Sequence, residues 1–177
     1  MNSRGFSTII ATILIILLTV IAAAMIAQVV IPFAKKNLCK STECISYEHY
    51  FQFDNSLEWN CYDSDARQIT VSITAQNDPA LAAQVAGFKL ALLGEGISKT
   101  VDVREGSSAS TIRNFGKQSG SKLTIPHAGD TSTYIYDYGN DGVQYYTGAD
   151  IHTVLASGRL CEKPSGHVTL LDCRGKI

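Results

Sequence analysis

The chain has 177 residues, of which 45% are hydrophobic, and its formal net charge at pH 7 is −1. From residue 37 onward, 12 Lys and Arg stand against 16 Asp and Glu, which is a net charge of −4. Phosphate contacts need clustered Lys or Arg, and no such cluster occurs, so nucleic acid is not an expected partner. The same stretch is long enough for one domain with a two-layer core.

The apolar residues are concentrated near the start of the chain. Residues 1–5 form a short basic leader, and residues 6–34 then carry no charge, with Gln28 as the one strongly polar side chain. As a helix, residues 6–31 would span about 39 Å, which exceeds the ~30 Å hydrocarbon core of a bilayer. We therefore predict a transmembrane helix, in which Pro32 should kink or end the helix because proline lacks a backbone donor.

An ordinary secretory signal peptide is the main competing interpretation of the apolar segment. Such signals have an apolar region of about 7–15 residues that ends at a small-residue cleavage site. The three alanines at residues 22–24 resemble such a site, but the apolar run continues through Ile31. Cleavage there would leave an apolar tail on the product. An amphipathic surface helix is excluded because the segment has no polar face.

The junction between leader and apolar segment, RGFST at residues 4–8, resembles the class III signal of type IV pilins. In that family a prepilin peptidase cuts after the glycine, and the apolar helix stays on the mature subunit. Bacterial members typically carry Glu at the fifth mature position, where this chain has Ile10. The N-terminus is therefore similar to those of archaeal pilins and archaellins. The resemblance implies a processing site at Gly5 and Phe6, with the membrane, a prepilin peptidase and further copies of the chain as partners.

Cysteines supply the next prediction, and the chain has five: Cys39, Cys44, Cys61, Cys161 and Cys173. After an export-type N-terminus they predict disulfides, which would place the domain outside the cytoplasm. We expect Cys161 to pair with Cys173 across a turn-rich segment, and Cys44 with Cys61. A Cys39–Cys44 bond is an alternative. No CxxC pair or clustered histidines occur, so neither a metal site nor a cofactor is expected.

Short β-type segments separated by turn signals fill the rest of the chain. The clearest is residues 67–76, where alternate apolar residues fall on one face. A Gly-Glu-Gly turn predicts a hairpin between residues 88–93 and 97–103. Residues 105–121 are rich in Gly and Ser and predict a long loop. Further strands are expected at residues 45–53, 57–62, 122–125, 133–138, 143–146, 151–156, 159–161 and 168–171.

One predicted strand carries a tyrosine stripe on a single face: Tyr134, Tyr136 and Tyr138. Such a stripe is either a binding surface or, as we expect here, a half-buried strand face with hydrated hydroxyls. The chain has no GxSxG, HExxH, P-loop or GxGxxG motif. Enzymatic activity is therefore not expected.

Together these features predict an α+β chain in three parts. Residues 1–5 are the leader, residues 6–36 a hydrophobic transmembrane or filament-core helix, and residues 37–177 an extracellular, all-β antiparallel sandwich of immunoglobulin-like type. The resemblance implies a pilin-like structural subunit, cut after Gly5 and assembled into a type IV pilus-like surface filament. The alternative is a single-pass membrane-anchored extracellular β-domain, of binding or envelope type, that does not polymerise.

Overall fold

The computed structural model describes residues 4–56 and 58–174, and the side chains of residues 4–9 and 33–42 are outside that description. The chain divides into two compact units, Met1–Glu43 and Cys44–Ile177. Helix α1 (Arg4–Ile45) accounts for the described part of the first unit, and its last two residues belong to the second. The predicted long N-terminal apolar helix is therefore confirmed.

Pro32 lies inside α1, and the helix continues beyond it to Ile45. The helix does not end at Pro32, which is one of the two outcomes expected there, and it runs past the expected boundary at residue 36. A proline removes one intrahelical hydrogen bond and crowds one turn, which is a local cost of roughly 3 kcal/mol. The good helix formers at residues 34–36 allow the helix to resume directly after it. A kink at Pro32 stays a prediction.

A turn follows α1 where the sequence predicts the start of a strand. The amide of Tyr47 donates to the Cys44 carbonyl at 3.0 Å, and the amide of Tyr50 donates to the Tyr47 carbonyl at 3.1 Å. Both tyrosines are buried, and their spacing of three suits a helical turn better than a strand. The aromatic segment therefore becomes extended only from Phe51.

The second unit is built mainly from short strands. In chain order its elements are β1 (Phe51–Phe53), β2 (Cys61–Asp63), β3 (Gln68–Ala75), α2 (Pro79–Ala82), β4 (Val85–Gly94), β5 (Ile97–Arg104), β6 (Ile112–Asn114), β7 (Thr131–Asp137), β8 (Gly148–Leu155), β9 (Gly166–Thr169) and β10 (Leu171–Asp172). The predicted strand at residues 67–76 and the predicted hairpin are confirmed as β3 and β4–β5. Strand β6 lies inside the segment predicted to be a long loop, and the strands predicted at residues 122–125 and 159–161 are reduced to isolated bridges.

These strands form two sheets. The six-stranded sheet has the order β10-β2-β3-β7-β6, with β1 also paired to β3, and the four-stranded sheet has the order β5-β4-β8-β9. The pairing of β10 with β2 is parallel, and the other strand pairs of the described residues are antiparallel. The expected α+β chain with mainly antiparallel sheets is therefore confirmed, and the immunoglobulin-like type stays a prediction.

One hydrophobic core joins the two sheets. The Phe88 ring, from the four-stranded sheet, has its centroid 5.4 Å from that of Tyr134 and 5.1 Å from that of Phe51, both in the six-stranded sheet. The alternate residues of the two central strands are fully buried against each other, as period-two patterning requires. These residues are Ile69, Val71 and Ile73 of β3 and Phe88, Leu90 and Leu92 of β4.

Leucine-to-alanine substitutions at a buried and at an exposed position should differ in their effect on the free energy of unfolding. Leu90 is completely buried, so Leu90→Ala should lower the free energy of unfolding by about 2–5 kcal/mol through lost burial and the cavity left behind. Leu171 is 56% exposed, and Leu171→Ala should change the free energy of unfolding by no more than about 0.5 kcal/mol. Urea unfolding of the full chain with its disulfides intact measures both. Equal losses in the two variants would contradict the proposed core.

Candidate functional site

The apolar segment Ile10–Pro32 of α1 is the most unusual surface of the described chain. Its 23 residues span about 35 Å as a helix, and each of its large apolar side chains is at least 47% exposed. Apolar side chains occur on all sides of this helix, so one apolar neighbour on one side would not cover it. By length and composition the segment fits a membrane anchor or a signal sequence.

Polar groups in this segment are few and partly satisfied within the helix. The Thr19 hydroxyl donates to the Ile16 carbonyl at 2.8 Å, so it needs no water in an apolar surrounding. Gln28 is exposed and is the one strongly polar side chain of the segment. The helix therefore satisfies the main physical requirement of a spanning element, which is internal hydrogen bonding of its backbone.

The predicted processing site lies at the start of the same helix. Gly5 and Phe6 are in the first turn of α1, and their side chains fall outside the described residues. Cleavage between them stays a prediction that rests on the resemblance of the leader to class III signals.

Cys44, where the second unit begins, is joined covalently to the segment between β8 and β9. Cys44 forms a disulfide with Cys161, with their Cα atoms 5.5 Å apart. The amide of Cys161 in turn donates to the Thr153 carbonyl of β8 at 2.9 Å. An ion pair between Lys163 and Glu48 lies in the same region. These contacts fix the residues that follow the helix to the segment between β8 and β9.

A buried hydroxyl pair reinforces this attachment. Thr153 and Ser165 share a hydrogen bond of 2.7 Å between their hydroxyl oxygens, and the Ser165 hydroxyl donates to the Tyr47 carbonyl at 3.2 Å. Both hydroxyl residues are buried, so breaking this arrangement would leave a polar group without a partner. The turn after α1 is therefore held by polar as well as covalent contacts.

The second disulfide joins Cys61 to Cys173. The four predicted cysteines are thus all bonded, but the predicted pairs Cys161–Cys173 and Cys44–Cys61 are wrong. The reason is strand pairing: β9 pairs with β8 in one sheet, while β10 runs parallel to β2 in the other and brings Cys173 to Cys61. A hairpin closing Cys161 on Cys173 therefore does not form. The side chain of Cys39 lies outside the described residues.

The tyrosine stripe is a core feature, which corrects the expected half-buried face with hydrated hydroxyls. All three rings are buried, so the stripe is not an exposed binding surface. Their hydroxyls donate to protein acceptors: Tyr134 to the Thr124 carbonyl, Tyr136 to the Asp141 carboxylate and Tyr138 to the Asp63 carbonyl.

Asp141 is the acceptor on which two of the buried tyrosines depend. Its Oδ2 accepts from the Tyr136 hydroxyl at 2.6 Å and from the Tyr146 hydroxyl at 2.9 Å, and Lys99 Nζ lies 3.3 Å from its Oδ1. Burial acts to raise the pKa of Asp141, but the hydrogen bonds from Tyr136, Tyr146 and Lys99 outweigh it, and the pKa lies below its ordinary value of 3.8. Burial is the largest cause of the raised pKa of Tyr136 and Tyr146, and the Asp141 carboxylate raises both further. Both hydroxyls therefore keep their protons and donate hydrogen bonds.

This network was missed at the level of the sequence, although a signal for it exists. Asp141 lies in an Asn-Asp-Gly turn shortly after the tyrosine stripe. In the part of the chain that the structure describes, no group of three His, Cys, Asp or Glu side chains could hold a metal ion. Through its hydrogen bonds to two buried tyrosines, Asp141 anchors a turn to the core.

Glu-C digestion without reductant should reveal the disulfide pairs directly. Cleavage after Glu43, Glu48, Glu58 and Glu162 puts all five cysteines on separate peptides, whereas tryptic peptides would keep Cys44 with Cys61. We expect peptides joining Cys44 to Cys161 and Cys61 to Cys173. The double variant Cys61→Ser/Cys173→Ser should lose about 2–5 kcal/mol of unfolding free energy, because it opens a long covalent loop. A linked peptide containing Cys39 and Cys44 would contradict the pairing.

Asp141→Asn should destabilise the fold in a pH-dependent way. A carboxylate with a lowered folded-state pKa contributes stability that is fully present above its ordinary pKa of 3.8 and is lost as pH falls through the lower folded value. The difference in melting temperature between the wild-type chain and Asp141→Asn should therefore be constant from pH 5 to 7 and shrink below about pH 4. Calorimetric scans across this range test it, with Asp130→Asn, an exposed aspartate, as the control. A difference that is the same at pH 3 and pH 7 would contradict the assigned role.

A scan of protein-family models and a search of curated proteins found no match to this chain. The functional assignment therefore rests on the residues and the geometry of the chain itself.

Proposed function

We propose that this protein is a pilin-like structural subunit that enters the membrane by its N-terminal helix, is cut between Gly5 and Phe6, and assembles into a type IV pilus-like surface filament. The observation that carries the proposal is the position of the uncovered apolar segment Ile10–Pro32, which begins four residues after Phe6 of an Arg-Gly-Phe junction. An ordinary cleaved signal needs neither this length nor an apolar run that continues past its alanines.

On this proposal the same segment has two successive roles. Before assembly, lipid covers its apolar side chains, and insertion of a segment this rich in Ile, Leu and Val is favoured by several kcal/mol. During assembly, the helices of neighbouring copies replace the lipid. Small residues at a spacing of four, such as Ala23 and Ala27, allow the backbones of packed helices to approach closely.

The second unit is the solvent-facing part of the proposed subunit. Two disulfides support a location outside the cytoplasm, because such bonds persist in oxidising compartments. The finer fold that we propose for it is an immunoglobulin-like sandwich, supported by two sheets that share one core. The parallel β2–β10 pair is a departure from the purely antiparallel arrangement of that fold.

The alternative function is a single-pass anchored extracellular domain, of binding or envelope type, whose helix stays uncut and single. It shares the anchor, the disulfides and the location outside the cell. It differs in one covalent feature, the N-terminus of the mature chain, and in one physical property, the absence of lateral helix packing.

Mass spectrometry of the mature chain separates these functions. In a host that carries a prepilin peptidase, we expect Phe6 as the first residue. Gly5→Arg should abolish processing, because a bulky charged residue replaces the small residue at the cut, and filaments seen by electron microscopy should disappear with it. Ser3→Arg adds the same charge upstream and should be processed normally.

Each other outcome has a defined meaning. An intact Met1 in the wild-type chain would refute the pilin-like function and favour the uncut anchor. A mature chain starting at Met25 would indicate an ordinary signal peptidase acting after the alanines. Unchanged processing of Gly5→Arg would show that the proposed site is wrong. A chain that starts at Phe6 but forms no filaments would leave processing intact and refute assembly.

A further inference from the structure

The face of the six-stranded sheet that is turned away from the core carries a row of hydroxyl pairs. On β3, Ser72 and Thr74 alternate with the buried apolar residues and therefore lie on this face. Their hydroxyl oxygens are 2.8 Å and 2.7 Å from those of Thr133 and Thr131 on β7. The face is polar and uncharged along this row.

Two exposed aromatic rings reach across the row. Trp59 and Phe115 are 40% and 55% exposed, and their ring centroids are 4.7 Å apart. Asn60, next to Trp59, accepts from the Ser72 amide at 2.9 Å, and the Phe115 amide donates to the Thr133 carbonyl at 2.8 Å. The two backbones therefore flank the β3–β7 pair from opposite sides. Because neighbouring strands lie about 4.8 Å apart, the rings can meet only above Ser72 and Thr133.

A cavity of about 340 Å³ lies farther along β3, at Thr74 and the two residues after it. It is lined by His49, Gln52, Thr74, Ala75 and Gln76. Gln52 is paired with Thr74 across β1 and β3, and Thr74 is two residues from Ser72, a rise of about 6.6 Å along the strand. The volume is within the ~300–1,000 Å³ range of small-molecule sites. We call the cavity and the two rings together the Trp59 face.

The hydrogen-bonding groups and the charges of the Trp59 face indicate which class of ligand fits it. Its lining offers amide, hydroxyl and imidazole groups that form hydrogen bonds, and none of the described residues that line it is Lys, Arg, Asp or Glu. An ionic ligand would lose its water there without gaining an opposite charge, and a wholly apolar ligand would leave the amides unpaired. A ring with many hydroxyls on its edges and an apolar C–H face matches both the cavity and the aromatic rings.

We propose that the Trp59 face binds a neutral carbohydrate, with one sugar ring against Trp59 and Phe115 and the adjoining hydroxyls in the cavity beside Gln52 and Thr74. All of these residues belong to the second unit. The proposal therefore does not depend on the processing or the assembly of α1. A second copy of this chain is the competing occupant, and the test below separates the two.

Trp59 is the only tryptophan in the chain, so its emission reports directly on the proposed site. The full chain in lipid nanodiscs, free of glycoside detergents, is titrated with maltohexaose, cellohexaose, chitohexaose and mannohexaose. We expect at least one of these neutral sugars to change the Trp59 emission saturably, with a dissociation constant between about 1 μM and 1 mM. Hexagalacturonate, which is anionic, should bind more weakly.

Matched variants at Phe115 test the role of the aromatic ring. Phe115→Leu keeps an apolar cover over the hydroxyl row but removes the ring, and should weaken binding about tenfold. Phe115→Tyr keeps the ring and should bind as the wild-type chain does. Gln52→Ala should also weaken binding, whereas Ile97→Ala, an exposed apolar position on the other sheet, should not.

Three results would overturn the assignment. One is an unchanged emission with all four neutral sugars, and another is equal binding by wild-type and Phe115→Leu chains. The third is an emission change that follows the number of chains per nanodisc instead of the sugar concentration, which would assign the Trp59 face to a second copy. None of them depends on where the chain is processed, so failure here and failure of the filament proposal are distinguishable.

Discussion

The constraint on which the rest of the structure depends is the uncovered apolar surface of α1. Over Ile10–Pro32 the helix buries none of its apolar window within the chain. Transfer of its Ile, Leu and Val side chains into a bilayer is worth roughly 4–8 kcal/mol by insertion scales. Lipid or other apolar helices are the surroundings that can cover such a surface on all sides. The second unit has a hydrophobic core of its own, to which no residue of Ile10–Pro32 belongs.

The second unit combines this core with two covalent bonds. Its disulfides span 117 and 112 residues of sequence, so each constrains nearly the whole unit in the unfolded state. One bond holds the residues that follow α1 against the β8–β9 segment, and the other holds β10 beside β2. Buried polar groups add specificity to this framework, because the Asp141 carboxylate satisfies two tyrosine hydroxyls that would otherwise lose hydrogen bonds in the core.

The sequence predicted best those features that depend on local pattern. The apolar helix, strand β3 and the β4–β5 hairpin follow from composition, alternation and a Gly-containing turn, each within a short window. The cysteine pairing could not be predicted in this way, because it depends on the parallel contact of β10 with β2, two segments more than 100 residues apart. Burial of the tyrosine stripe was missed for a different reason. An alternating tyrosine pattern marks one face of a strand, but it does not show whether the hydroxyls find acceptors within the protein, as Tyr136 does in the nearby Asp141 and Tyr138 in the distant Asp63.

The two disulfides also connect the framework to the proposed carbohydrate face. Cys61 directly follows Asn60, whose side chain holds the Ser72 amide beside Trp59. Cys44 begins the short turn that leads to His49, a residue of the cavity lining. Loops tend to be the least rigid parts of a β fold, and a binding site carried on them gains affinity when they are held in the bound geometry. The bonds that constrain the second unit therefore also hold both halves of the proposed Trp59 face, one near each end.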